Sequence, residues 1–138
     1  MPDVDLHGLL GLARTARTRA YAPYSQYKVG AALLCGSGKI YPGCNIENAA
    51  YPVCLCAERT ALGAAIAAGE SEFLAMAVIA ESERPVPPCG MCRQMLLEFA
   101  PEMPILLANL RGAERRTTPR ELLPDGFEAH DMPAASAG

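Results

Sequence analysis

Cys54-Leu55-Cys56-Ala57-Glu58-Arg59 and, further along, Pro88-Cys89-Gly90-Met91-Cys92-Arg93-Gln94 are the stretches that organise this chain. They read as one metal centre. Cys56, Cys89 and Cys92 hold a zinc ion, a water takes the fourth position, and Glu58 handles protons beside it. Three protein ligands plus water mark a working zinc, whereas a structural zinc is normally closed by four. Cys89 and Cys92 lie one helical turn apart and can face one point. Pro87 and Pro88 put Cys89 at or near the start of one helix, and Cys56 opens another. Helix N-termini carry free N–H groups and partial positive charge, which favour thiolates. Three thiolates leave the zinc site anionic and its Lewis acidity weakened. Arg59, on the same helix as Cys56, is the expected outer donor that draws density from the sulfurs.

Three plainer readings compete. Cys89-Gly90-Met91-Cys92 has the spacing of a redox pair at a helix start. Cys54 could close a structural zinc as fourth ligand, although in an extended segment it points away from Cys56. The cysteines could also be simple packing residues. Glu58 separates these readings, because a redox pair or a closed zinc has no use for it. An open zinc site needs a carboxylate near its water as a proton shuttle.

The whole chain narrows the setting. With 138 residues it is most simply one domain, expected over residues 1–127, with a loose tail over 128–138. Twelve Lys and Arg against fifteen Asp and Glu leave a net charge of −3. Without basic clusters, such a chain is not built to grip a nucleic-acid strand, and a small-molecule substrate is expected instead. No stretch suits a membrane span or a signal peptide, so a cytoplasmic location is expected. In that compartment six cysteines point to metal or catalytic use before disulfides. His7 and His130, one near each end, give little support to a histidine metal site or base.

Leu6, Leu9, Leu10, Ala13, Ala16 and Ala20 recur at helical spacing, so a helix is expected from Val4 to about Ala20, capped by Asp3 or Asp5. Val29 to Cys35 and Lys39 to Asn45 read as a hairpin about Gly36-Ser37-Gly38. Cys35 and Cys44 are expected to pack as small apolar residues. A helix follows from Leu55 to about Ala68, closed by Gly69. Phe73 to Ala80 is an apolar central strand, Cys89 to Ala100 a helix, Ile105 to Ala108 a strand and Arg115 to Thr118 a short fifth. Pro119 to Leu123 is a helical turn. This order predicts a three-layer α/β/α sandwich around a mixed, about five-stranded sheet. Asn45 and Glu47 point to one side of an extended segment, either as a solvated strand end or as pocket lining.

Cys56-Ala57-Glu58 followed by Pro88-Cys89-Gly90-Met91-Cys92 resembles the zinc nucleoside and nucleobase deaminases, whose signature and chemistry are a known pattern. More closely, the chain resembles the small homotetrameric cytidine deaminases. The likeness runs through Ala20-Tyr21-Ala22-Pro23-Tyr24-Ser25, Val29-Gly30-Ala31-Ala32-Leu33 and Gly43-Cys44-Asn45-Ile46-Glu47-Asn48-Ala49-Ala50-Tyr51. It continues through both cysteine stretches to Glu121-Leu122-Leu123-Pro124 and Phe127.

The resemblance implies one zinc per subunit on Cys56, Cys89 and Cys92. Glu58 would move a proton from the activated water to N3 of cytosine, and would then pass a second proton to the departing amino group. Cytidine and deoxycytidine would become uridine and deoxyuridine with release of ammonia, a step of pyrimidine salvage. Asn45 and Glu47 would hold the ribose 3′-hydroxyl, and the backbone at Ala57 the base edge. Ala49, Tyr51 and Phe127 would line the pocket, some of them reaching in from neighbouring subunits of a homotetramer. Tyr27 stands where relatives commonly carry a Phe that stacks on the base, and Met91 where Ala is common. A deaminase of another cytosine-bearing molecule, such as a nucleoside antibiotic, is the alternative; a thiol-disulfide module on Cys89 and Cys92 is a more distant one.

Overall fold

The computed structural model describes residues 4–133. Helix α1 (Leu6–Arg17) is followed by strands β1 (Val29–Cys35) and β2 (Ile40–Cys44). Helix α2 (Ala57–Ala67), strand β3 (Phe73–Ala80) and helix α3 (Gly90–Phe99) come next. Strands β4 (Ile105–Asn109) and β5 (Glu114–Thr117) and the short α4 (Pro119–Leu122) complete the order. The five strands form one sheet in the order β2-β1-β3-β4-β5. Only β3 and β4 run parallel, so the sheet is mixed.

Side chains alternate across a strand, and here each face of the sheet has its own core. Ala31, Leu33 and Val78 face Ala61, Leu62, Ala65 and Leu96 of α2 and α3. Ala32, Ala77, Ile79, Leu106 and Ala108 face Leu6, Leu9, Leu10 and Ala13 of α1. The result is the expected α/β/α sandwich. β3, flanked on both edges and covered on both faces, is apolar throughout for that reason.

Several element ends differ from the sequence expectation, each for a local reason. α1 starts at Leu6 because the Asp5 carboxylate accepts from the Gly8 N–H at 2.8 Å. Asp3 lies outside the described residues. The helix stops at Arg17, whose Nε donates to the Lys28 carbonyl at 3.1 Å. α2 starts at Ala57, not Leu55, because Leu55 is held extended by a bridge to Ile46. Residues 128–133 are not all loose: Ala129–Asp131 form a 3-10 turn closed by reciprocal hydrogen bonds between Glu128 and Asp131. Residues 134–138 of the expected tail lie outside the described residues.

One close approach positions the site. A Cβ on Gly43 would stand 2.3 Å from the Ala57 carbonyl oxygen and 2.6 Å from the Ala61 amide nitrogen. Only glycine lets β2 run this near the first turn of α2, where Cys56 and Glu58 are carried.

Candidate active site

Two helix starts converge on the cysteines. Cys56 is the N-cap of α2 and Cys89 the N-cap of α3. Cys92, one turn into α3, is fully buried. The Cys56 and Cys89 sulfurs are 3.5 Å apart, those of Cys89 and Cys92 3.4 Å, and all three lie within 4.8 Å of one another. Sulfurs bound tetrahedrally at the usual zinc distance stand about 3.8 Å apart, so the three present a zinc-sized face. Among the described residues no fourth ligand joins them. Cys54 is excluded from the cluster, since its sulfur takes the Asn48 N–H at 3.2 Å instead.

Charge at the cluster is unevenly spread in the metal-free chain. The Cys56 thiol is lowered to about 5, first by its hydrogen bond with Cys92 and further by the Arg59 guanidinium. Cys92 is pushed up, first by that same hydrogen bond and then by burial. The same hydrogen bond thus favours the thiolate at Cys56 and disfavours it at Cys92, and a cation bound to the sulfurs would favour it at both. Arg59 donates from one terminal nitrogen to the Cys54 carbonyl at 3.1 Å and approaches the Cys56 sulfur at 3.7 Å. Its Nε is buried with no partner among the described residues.

Arg59→Ala should lower zinc affinity by about 10- to 100-fold, the usual range for loss of an outer-shell partner. Competition with a chelator measures it. Unchanged affinity and turnover would remove Arg59 from the site's electrostatics.

Glu58 is 5% exposed, in the first turn of α2. Burial raises its pKa to about 7, with the Cys56 thiolate adding to the rise and Arg59 opposing it. A divalent cation at the sulfurs would pull it back down. Its carboxyl interacts with Cys92. A proton-carrying group tuned near neutrality thus sits beside a metal-sized thiol cluster.

A cavity of about 320 Å³ opens onto this corner. Tyr27, Asn45, Glu47, Cys56, Ala57, Glu58 and Cys89 line it, together with Val78, Val86 and Pro87. Asn45 and Glu47 do share one side. Asn45 accepts from Val29 N–H at 2.8 Å and donates to the Tyr27 carbonyl at 2.7 Å. Glu47 accepts from Tyr24 N–H at 2.9 Å, from Ser25 N–H at 3.1 Å and from the Ser25 hydroxyl. Each keeps hydrogen-bonding capacity in reserve, one N–H and one lone pair on Asn45 and about one lone pair on Glu47. The Tyr27 phenol pKa is raised, by burial first and by the Glu58 charge as well.

Ala49, Tyr51 and Phe127 do not line this cavity. Tyr51 borders an adjoining depression with Tyr24, Ser25, Glu47 and Cys54. Phe127 is 59% exposed, its backbone clasped at both N–H and C=O by the Gln94 amide. Val29, Cys54, Leu55, Val78, Val86 and Pro87 also line the Glu58 cavity and were missed from sequence; the one signal for Val86 and Pro87 was their place in the proline-rich connector entering Cys89.

An α/β/α sandwich with three thiols converging at two helix starts, and a buried carboxyl beside them, defines a zinc hydrolase site. Residues 5–107 match the zinc-binding region of the cytidine and deoxycytidylate deaminases. A cytidine deaminase of Sporosarcina psychrophila is 48% identical over 134 residues, 96% of this chain and 98% of that protein. The crystal structure of a cytidine deaminase from Burkholderia pseudomallei superposes with a TM-score of 0.87 at 50% identity, covering 90% of this chain and all of that one. A blasticidin-S deaminase of Bacillus cereus is 32% identical over 108 residues, 72% of this chain and 76% of that protein. The chain belongs to the cytidine deaminase family, whose members are hydrolytic, zinc-dependent deaminases.

Proposed function

We propose that this chain deaminates free cytidine and deoxycytidine to uridine and deoxyuridine as a step of pyrimidine salvage. The observation that carries the reading is Glu58, a buried carboxyl against three converging thiols at the floor of a nucleoside-sized cavity. Zinc held by Cys56, Cys89 and Cys92 supplies Lewis acidity that makes water a nucleophile at neutral pH. Glu58 accepts the proton of the attacking water and gives it to N3 as the new C–O bond forms at C4. The carboxylate then takes the proton of the new C4 hydroxyl and passes it to the amino group, so that the C4 carbonyl forms, the C–N bond breaks and ammonia leaves. The Ala57 backbone holds the base edge, Tyr27 stacks on the ring, and the spare capacity of Asn45 and Glu47 takes the ribose 3′-hydroxyl.

The active form in this reading is a cytoplasmic homotetramer, in which Ala49, Tyr51 and Phe127 complete pockets shared between subunits. Exposed apolar side chains support it: Tyr51 is 69% exposed, and Val53, Leu55 and Phe127 are also exposed. Such a patch marks an interaction surface. No helix among the described residues is long and apolar enough to cross a membrane. The acidic net charge favours a free nucleoside over a nucleic-acid strand.

The test is direct. Purified chain is incubated with cytidine, deoxycytidine and blasticidin S while ammonia, zinc content and mass by light scattering are followed. Turnover of both nucleosides by a zinc-loaded four-chain species is expected. A zinc-loaded protein inert on both nucleosides but active on the antibiotic would overturn the reading. Full activity in a monomer would remove the shared-pocket roles.

A further inference from the structure

One wall of the cavity is an unusual piece of chain. It belongs to the connector between β3 and α3, which supplies Val86 and Pro87 to the lining and ends at Cys89. From Ser82 to Pro88 no backbone–backbone hydrogen bond forms among the described residues. Pro85, Pro87 and Pro88 have no N–H to offer. Within it the Ser82 hydroxyl donates to the Arg84 carbonyl at 2.5 Å, and side chains reaching in from elsewhere hold its two ends. At its far end the Arg93 Nε donates to the Pro88 carbonyl at 2.7 Å.

At its near end the holder is Asn109, the last residue of β4 and 2% exposed. Its Nδ2 donates to the Ser82 carbonyl at 3.0 Å and to the Glu83 carbonyl at 3.1 Å. Its Oδ1 accepts from Arg111 N–H at 3.0 Å and from Ala113 N–H at 2.9 Å. All four hydrogen-bonding positions of the amide are used, and only this orientation of the amide satisfies all four partners. One half of the side chain closes the β4–β5 turn. The other half grips the connector.

We propose that Asn109 is a positioning residue for substrate binding: its amide nitrogen fixes the start of the Ser82–Pro88 connector and so sets the Val86–Pro87 wall of the nucleoside pocket. Cys89 is shielded from its loss, because the far end of the connector is held independently by Arg93 and by the start of α3. Loss of the Asn109 grip therefore acts on substrate affinity before it acts on zinc or chemistry. The inference rests on the reading that this cavity takes the nucleoside.

Asn109→Asp separates the two halves. The carboxylate still accepts from Arg111 and Ala113 but, when ionised, cannot donate to the two carbonyls. KM for cytidine should rise about tenfold, with zinc content unchanged and kcat within about threefold, the pattern of lost ground-state binding. The control is Gly112→Ala, which strains the same turn, where Gly112 has φ +94°, without touching the connector. It should lower thermal stability and leave KM unchanged.

A glutamyl endopeptidase, with fragments mapped by mass, should cut after Glu83 several-fold faster in Asn109→Asp than in the parent or in Gly112→Ala. If Asn109→Asp does not fold, Asn109→Ser, which cannot span both carbonyls and both N–H groups, carries the same comparison. A KM within twofold of the parent, an equal rise in Gly112→Ala, or unchanged cleavage after Glu83 would overturn the proposal. A parent chain inert on cytidine would count against the substrate reading, and the cleavage comparison would still decide whether Asn109 holds the connector.

Discussion

Glu58→Gln should leave the chain folded and zinc-loaded while turnover of cytidine falls by about 10²- to 10⁴-fold, the span usually lost with a general acid–base group. The amide matches the carboxyl in shape but cannot take up the proton of the attacking water. Zinc should be retained because Glu58 is outside the three-sulfur cluster. Stability should hold or rise, since a buried carboxyl raised by desolvation is replaced by a neutral group that stays uncharged at every pH. Ammonia release, metal analysis and thermal unfolding of the same sample provide the three readings. Turnover within tenfold of the parent would rule out Glu58 as the proton shuttle, and loss of zinc would make it a ligand.

Cys92→Ala should abolish both metal and activity. Cys92 is fully buried and its sulfur lies 3.4 Å from that of Cys89, so no other donor can move into its place. Two remaining thiols do not make a closed set, and zinc should drop from about one per chain to below roughly a tenth. Activity should fall by about 10³-fold or more, because the metal's charge stabilisation is worth several kcal/mol. The melting temperature should fall to that of chelator-treated parent protein, since a ligand that binds only the folded chain stabilises it by mass action. Stoichiometric zinc in this variant would refute the ligand set. Insulin reduction by the parent that survives chelation would revive the redox reading of Cys89 and Cys92.

Much of the fold was legible because it rests on local patterns. The continuous apolar runs of β1 and β3, the helical spacing in α1 and the glycine after α2 each report a near-neighbour preference that tertiary packing did not override. Element ends were less legible. Leu55 reads as helical beside Ala57, yet its bridge to Ile46, a residue distant in sequence, keeps it extended. The turn at Ala129–Asp131 depends on two reciprocal side-chain hydrogen bonds in a stretch with no hydrophobic period.

The site divides in the same way. Cys56, Glu58, Cys89 and Cys92 could be read from spacing, since Cys-x-Glu at one helix start and Cys-x-x-Cys at another are each set by one turn of helix. Asn45 and Glu47 were ambiguous alone, because a strand end next to solvent and a strand end next to a cavity have the same sequence. The cavity decides between them.

By itself, then, the sequence placed the groups proposed for the chemistry: three cysteines as soft ligands, Glu58 as the carboxyl to move protons, and Arg59 on the same helix to temper the sulfurs. Those choices lie within single turns of helix, where covalent geometry dictates what can meet. Only the tertiary structure decided how far Glu58 is buried, and hence that its pKa is pushed up to about 7. It alone showed that Cys54 turns to Asn48 and leaves the cysteine cluster at three. It also brought Asn109 to Ser82 and Glu83, carrying it across the end of the parallel β3–β4 pair to a connector that lacks backbone hydrogen bonds of its own. Desolvation and long-range contact depend on what surrounds a residue, and sequence neighbours do not record it.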